Sequence, residues 1–193
     1  LLFTVVIAMD IVSASERQKV GFAKSVVKKV FEQKTNKTIF SGDDIKFLDI
    51  VSTAKDSFTK IKLLDDSIIT LGPESELLID DFVYDPNSSQ VDGTLTLVQG
   101  FLNFVGSKKS KSLKFYTSGS ILGIRGTNFD ILTGKNGQIS IAVYEGDLML
   151  INQNDEIFSL QSNSLTLLDE KTQQPSNDVK SIENFKKKHL VLR

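Results

Sequence analysis

The sequence predicts an all-β fold, with many short, mostly antiparallel strands in a single sandwich- or roll-like domain and a short C-terminal helix. Three observations carry this reading. Apolar and polar residues alternate with a period of two through most of the chain after residue 18. Turn-forming clusters separate the alternating runs at intervals of roughly 8–12 residues. Cysteine is absent, so disulfides cannot hold the fold, and 193 residues with 40% hydrophobic side chains can build the core that must replace them.

The chain begins at Leu1 rather than Met, which implies a start further upstream. Leu1–Met9 (LLFTVVIAM) is an uncharged run. It is too short to span a bilayer, which takes about 20 apolar residues, and has the size of a signal-peptide hydrophobic region. Val12-Ser13-Ala14 supplies the small residues of a cleavage site, so residues 1–14 are expected to be a signal remnant. An uncleaved anchor is the alternative, and would be the only expected membrane contact. A buried first strand is a third reading, in which Asp10 would need a partner.

Residues 19–168 are expected to form the β domain. Phe58–Leu64 alternates, with Ile61 and Leu63 on one face and Lys60 and Lys62 on the other. Thr94–Leu97, Leu113–Phe115, Ile139–Val143, Leu148–Leu150 and Leu165–Leu167 repeat the pattern. Between the runs stand Ser41-Gly42-Asp43-Asp44, Leu64-Asp65-Asp66-Ser67, Gly72-Pro73-Glu74-Ser75, Asp85-Pro86-Asn87-Ser88, Gly134-Lys135-Asn136-Gly137 and Glu145-Gly146-Asp147, all with turn chemistry. Inside TLTLVQGFLNFV the apolar parity slips by one across Gly100: Leu95 and Leu97 share a face before it, Leu102 and Phe104 after it. A β-bulge does this. The remainder, residues 169–193, reads as a polar linker including Pro175, followed by an amphipathic helix. Ser176-Asn177-Asp178 caps that helix, Val179, Ile182 and Phe185 form its apolar stripe, and Lys186–Lys188 complement its C-terminus.

Composition removes much of the catalytic inventory. A single histidine, His189, and the lack of cysteine leave no Ser-His-Asp triad, thiolate nucleophile or multi-histidine metal site, and no cofactor is expected. Net charge is −1, but residues 17–37 carry +6 and residues 38–106 carry −8. The two stretches can neutralise each other in the fold, and the chain lacks the basic excess of a nucleic-acid binder. Asp43-Asp44, Asp65-Asp66 and Asp80-Asp81 could be paired carboxylates of a glycoside hydrolase or calcium ligands, but turn residues account for them better. Asp65-Asp66 is expected to be exposed at a hairpin tip. Gly123-Ile124-Arg125-Gly126 matches the G-x-x-G of an RNA-binding KH loop, yet its flanks read as strands instead of helices. Asn36-Lys37-Thr38 and Asn87-Ser88-Ser89 are sequons that matter only in a eukaryotic secreted protein. Arg125, among apolar residues and between two glycines, is expected to be a structural arginine that ties strands together.

These residues carry a resemblance. Asp65-Asp66-Ser67, Leu71-Gly72-Pro73-Glu74-Ser75, Leu78–Pro86, Gln99–Gly106 and above all Gly123-Ile124-Arg125-Gly126-Thr127-Asn128-Phe129 resemble the FecR-like domain. Val143-Tyr144-Glu145-Gly146-Asp147-Leu148 is similar to its closing V-x-x-G strand, and Val51-Ser52-Thr53 to its I-x-T element. The resemblance covers about residues 19–168. It implies a non-enzymatic β-rich module outside the bacterial cytoplasm, with Gly100, Gly123, Arg125, Gly126, Thr127, Phe129, Gly146 and Asp66 as motif positions of the fold. In the best-known arrangement an inner-membrane protein controls an extracytoplasmic-function sigma factor from its cytoplasmic segment. Its periplasmic part senses a TonB-dependent outer-membrane transporter. Here an export signal stands directly before the domain in place of the cytoplasmic helical region. This favours a stand-alone periplasmic or secreted module whose partner is another envelope protein. An envelope-glycan-binding or adhesin-like surface module is the alternative, and a carboxylate-pair hydrolase is a third reading.

Overall fold

The computed structural model describes residues 17–88, 90–107, 110–134, 136–168, 174–177 and 182–189, with Ser110, Lys111, Ser112, Arg125, Gly126, Asn177, Lys186, Lys188 and His189 described by their backbone alone. The expected signal remnant, residues 1–14, lies outside them, as does Val179. Among the described residues no helix is long and apolar enough to cross a membrane.

The described residues form fifteen strands and one helix. They are β1 (Lys19–Val27), β2 (Val30–Glu32), β3 (Lys37–Thr38), β4 (Asp44–Lys46), β5 (Ile50–Thr53), β6 (Phe58–Leu63), β7 (Ile68–Leu71), β8 (Glu76–Asp85), β9 (Gln90–Val105), β10 (Ser110–Thr117), β11 (Ser120–Thr133), β12 (Ile139–Ile151), β13 (Ile157–Leu160), β14 (Ser164–Leu168), β15 (Pro175–Asn177) and α1 (Ile182–His189). All fifteen strands belong to one continuous sheet folded into two leaves. Leaf A runs β3–β2–β5–β8, then the first half of β9, β10, the first half of β11, the second half of β12 and β13. Leaf B runs β4–β1–β6–β7, then the second half of β9, the second half of β11, the first half of β12, β14 and β15.

Three long strands therefore belong to both leaves, and each shifts its apolar parity by one where it crosses. In β9, Leu95 and Leu97 face inward before Gly100, and Leu102 and Phe104 after it, all fully buried. In β11, Leu122 and Ile124 give way to Phe129 and Ile131, with the ladder to β12 irregular between Arg125 and Phe129. In β12, Ile139, Ile141 and Val143 give way to Leu148 and Leu150 across Gly146. Each slip keeps the apolar side chains on one shared core as the sheet turns. Leaf A's Phe115 closes that core against leaf B's Phe104 and Phe129, with ring centroids 5.1–5.5 Å apart.

Some expected turns are not turns. Glu145-Gly146-Asp147 lies within the continuous strand β12, where Gly146 takes a φ of +78° as a bend. A bulge and a turn both call for a residue at positive φ, so their composition is alike. Asp80-Asp81 sits inside β8 at a ladder irregularity between Ile79 and Asp81. Pro175, expected in the linker, starts β15, an edge strand on β14, where a missing N–H is tolerated. Ser176 donates its hydroxyl to the Leu167 carbonyl at 3.2 Å instead of capping a helix. The helix itself is present. Its Ile182 and Phe185 pack with Ala142, Tyr144, Leu165 and Leu167 on the outer face of leaf B.

All ladders are antiparallel except β9–β10, which is parallel. Parallel neighbours usually need a connection of a dozen or more residues. Here the second half of β9, which runs in leaf B beside β7, lies within the chain that connects the paired stretches Val91–Thr96 and Ser110–Tyr116.

Candidate functional site

Three of the motif residues, Gly100, Asp66 and Thr127, stand at two corners of the sheet. The first surrounds Gly100, the second the β6–β7 turn.

At the first corner β9 leaves leaf A. Gly100 has a φ of +92°, and a Cβ there would lie 2.3 Å from Ser75 Oγ and 2.5 Å from Ser75 Cα. Only glycine meets both demands. The Phe101 N–H donates to Ser75 Oγ at 2.9 Å, and that hydroxyl faces the Phe101 carbonyl at 3.1 Å. The Ser75 N–H donates to Thr53 Oγ1 at 2.9 Å, and Thr53 Oγ1 donates to the Gly72 carbonyl at 2.5 Å. Backbone bonds from Thr53 N to Ser75 O and from Gly72 N to Phe101 O, both 2.9 Å, complete the corner. The expected I-x-T threonine, the LGPES turn and the bulge glycine are thus parts of one neutral, buried network.

The second corner joins the β6–β7 turn, the end of β9 and the middle of β11. Asp66 sits in the turn with a φ of +72°, its side chain 53% exposed and ion-paired to Lys62 at 2.9 Å. Asp65 contradicts the expectation of exposure, since it is completely buried. Its carboxylate accepts from the Ser67 N–H at 3.0 Å and the Ser67 hydroxyl at 2.8 Å, and Ser67 Oγ accepts from the Ser107 N–H at 3.0 Å. The Gly106 N–H reaches the Thr127 carbonyl at 2.9 Å, tying β11 to the same place. Thr127 is 2% exposed, and its hydroxyl has no hydrogen-bond partner among the described residues. Phe129 points into the core. Gly123 faces the flexible end of Met149, whose Cε would be 3.3 Å from an added Cβ. The backbone of Arg125 pairs with Asp147, and the expectation for its side chain lies outside the described residues.

Sequence reading missed Gly21 and Gly93. An added Cβ would meet the Lys62 carbonyl at 2.3 Å and the Asp81 carbonyl at 2.6 Å, respectively. Only a knowledge of the strand across the ladder reveals such contacts.

Two further clusters could hold chemistry. A cleft of about 240 Å³ beside β2 and β4 contains Arg17, Glu32, Lys37, Asp44, Lys46 and Asp49. Its acids are occupied. Arg17 pairs with Asp49 at 2.7 Å, and Lys19 with Asp44 at 2.6 Å. Glu32 accepts from the N–H groups of Lys34, Thr35 and Ile50 and from the Thr35 hydroxyl. Burial pushes the Glu32 carboxyl up, but these hydrogen bonds outweigh it and hold the group below the ordinary glutamate range. The basic stretch of the chain thus neutralises part of the acidic one, as its charges suggest. On the outer face of leaf B, Asp130 is fully buried between the Asn103 amide and the Tyr144 hydroxyl, each at 2.7 Å. Tyr144 packs in turn among the side chains that receive α1. Neither cluster sets a nucleophile against a base. Among the described residues no group of three or more His, Cys, Asp or Glu side chains is placed to hold a metal.

Known proteins resemble this arrangement. Two crystal structures of candidate anti-sigma factors from Parabacteroides distasonis share the fold. One, at 2.50 Å resolution, has a TM-score of 0.54 and 11% identity, covering 67% of this chain and 58% of that one. The other, at 1.65 Å, has a TM-score of 0.53 and 10% identity, covering 70% and 63%. The chain thus spans about three-fifths of the length of those structures. No curated protein matches it. The family model for FecR protein matches residues 49–149, a span containing both corners and all the glycine-marked bends. By that match over more than half its length, the chain belongs to the FecR protein family.

Proposed function

We propose that this chain is an exported, non-enzymatic regulatory module that acts on the extracytoplasmic side of a bacterial envelope by binding another envelope protein. One observation carries the reading: the motif residues Gly100, Asp66 and Thr127 are spent on two structural corners, and the buried carboxylates Glu32, Asp65 and Asp130 are each engaged by hydrogen-bond donors. Catalysis needs a group free to take or give a proton at a reacting atom. Family membership and the likeness to anti-sigma-factor structures support regulation. The uncharged Leu1–Met9 run supports export. Control through an outer-membrane transport system is the finer form of the proposal.

Three measurements test it. A phosphatase that is active only outside the cytoplasm, fused after Leu168, should be active, and an inactive fusion overturns the localisation. Transcript profiles should differ between cells with and without the gene, and identical profiles overturn the regulatory role. Purified chain should turn over no polysaccharide or peptide, and turnover abolished by changing one Asp overturns the non-enzymatic reading. Tight binding of envelope glycan combined with unchanged transcripts would replace the proposal with a glycan-binding one.

A further inference from the structure

The two leaves have four edges, and three of them are protected. Leaf B ends on β4, whose Asp44 and Lys46 are charged, and on β15, which starts with Pro175. Leaf A ends on β3, a lysine and a threonine, both exposed. Charge and proline are the usual means of keeping an edge from pairing with another chain. The fourth edge is β13, Ile157-Phe158-Ser159-Leu160, with neither charge nor proline. Among the described residues β12 alone pairs with it.

Its side chains suit a continued leaf. Leu160 is buried and Phe158 packs against the main core, while Ile157 is 66% exposed on the outer face. Ile157 also ends an apolar row. It lies opposite Ile151, Ile151 opposite Ile121, and Ile121 opposite Tyr116, which is 37% exposed. Met149, one register position away on the same face, is 48% exposed.

We propose that β13 pairs antiparallel with β13 of a second copy of this chain, making leaf A continuous across a twofold axis. The strand is self-complementary. Phe158 opposite Phe158 keeps both rings on the core side, and Ile157 falls opposite Ser159 on the outer side, where the small serine leaves room for it. Charge also favours a second copy. Residues 157–163 are uncharged, and the nearest acids, Asp155 and Glu156, precede the strand. In the antiparallel register the two Glu156 residues lie four positions apart, about 14 Å at ~3.4 Å per residue, beyond the physiological screening length. A twofold pair therefore keeps these strand-flanking acids apart.

Sedimentation of the 193-residue chain over a range of concentrations tests this. The expected result is a dimer that dissociates on dilution. Ile157→Lys, and more strongly Ile157→Lys with Ser159→Lys, should weaken it about tenfold or more, the loss of one buried aliphatic contact with added like-charge repulsion. Both sites are exposed, so circular dichroism of these variants, and their melting temperature at dilutions where the parent is monomeric, should match the parent. Val83→Lys, at an equally exposed site on β8, should leave the dimer intact. A chain that is monomeric at every concentration overturns the proposal, even if it captures a strand from another protein. So does a dimer indifferent to both lysine substitutions.

Discussion

The Gly100 corner and the Asp65 corner do the same task, joining strands where the sheet passes from leaf to leaf, by different physical means. The first is a problem of space. Its partners are neutral, and what defines it is a backbone so close to Ser75 that no Cβ fits, at a φ that disfavours one. The second is a problem of hydrogen-bond valence. A buried carboxylate needs donors, and Ser67 supplies two from within the same turn. A steric demand admits no conservative substitution, whereas an unmet valence can be partly restored by an isostere. The comparison therefore predicts a graded set of outcomes.

Gly100→Ala should be the most damaging. The positive φ costs about 1–2 kcal/mol and the forced contact about 1–3 more, so a total loss of about 2–5 kcal/mol is expected from urea unfolding at constant m-value. A loss under ~0.5 kcal/mol, the usual surface range, would remove the steric account of this corner. Ser75→Ala opens space but deprives the buried Phe101 N–H of its acceptor, with an expected cost of about 1–3 kcal/mol. Combined with Gly100→Ala it should give no rescue, because Ser75 Cα, 2.5 Å from the added methyl, remains. A double-variant cycle reads this directly.

Asp65→Asn keeps the shape of the second corner and one acceptor oxygen. It should cost about 1–2 kcal/mol by thermal unfolding, less than Asp65→Ala, which removes the carboxylate that both Ser67 donors reach. If the two variants are equal, shape and not valence governs the corner. Thr127→Val should change stability by less than ~0.5 kcal/mol or raise it, since the hydroxyl it removes is buried with no hydrogen-bond partner among the described residues. A loss above 1 kcal/mol, the worth of a typical hydrogen bond, would reveal a partner for that hydroxyl. The smallest effect belongs to Asp66→Gly. Relief of the positive φ offsets loss of the exposed Lys62 pair, and the net change should stay within about 0.5 kcal/mol of zero.

The same contrast explains what could be read from the residues in order. A steric bulge leaves a trace in the pattern: Leu97 and Leu102 differ in parity, and the slip at Gly100 is visible without coordinates. Valence leaves none. Asp65 and Asp66 are the same residue type in the same turn, yet one is buried and the other 53% exposed. The difference comes from Ser107, forty positions along the chain, which seals Ser67 against the turn. Gly146 and the Gly72–Ser75 turn both show turn composition. Only pairing with β11 makes the former the bend of a continuous strand.

The sequence by itself determined the strand content, the alternating core positions, the slip at Gly100, the C-terminal helix and the family to which the motifs point. These follow from periodicity and local backbone preference, which act between near neighbours. Tertiary structure decided the two-leaf sharing of β9, β11 and β12, the parallel β9–β10 ladder, the burial of Asp65 and Asp130, and the close approaches at Gly21 and Gly93. Each of these depends on which strand lies alongside. Two segments far apart in the chain share a ladder because their inward faces fill one core, a condition no window of the sequence contains.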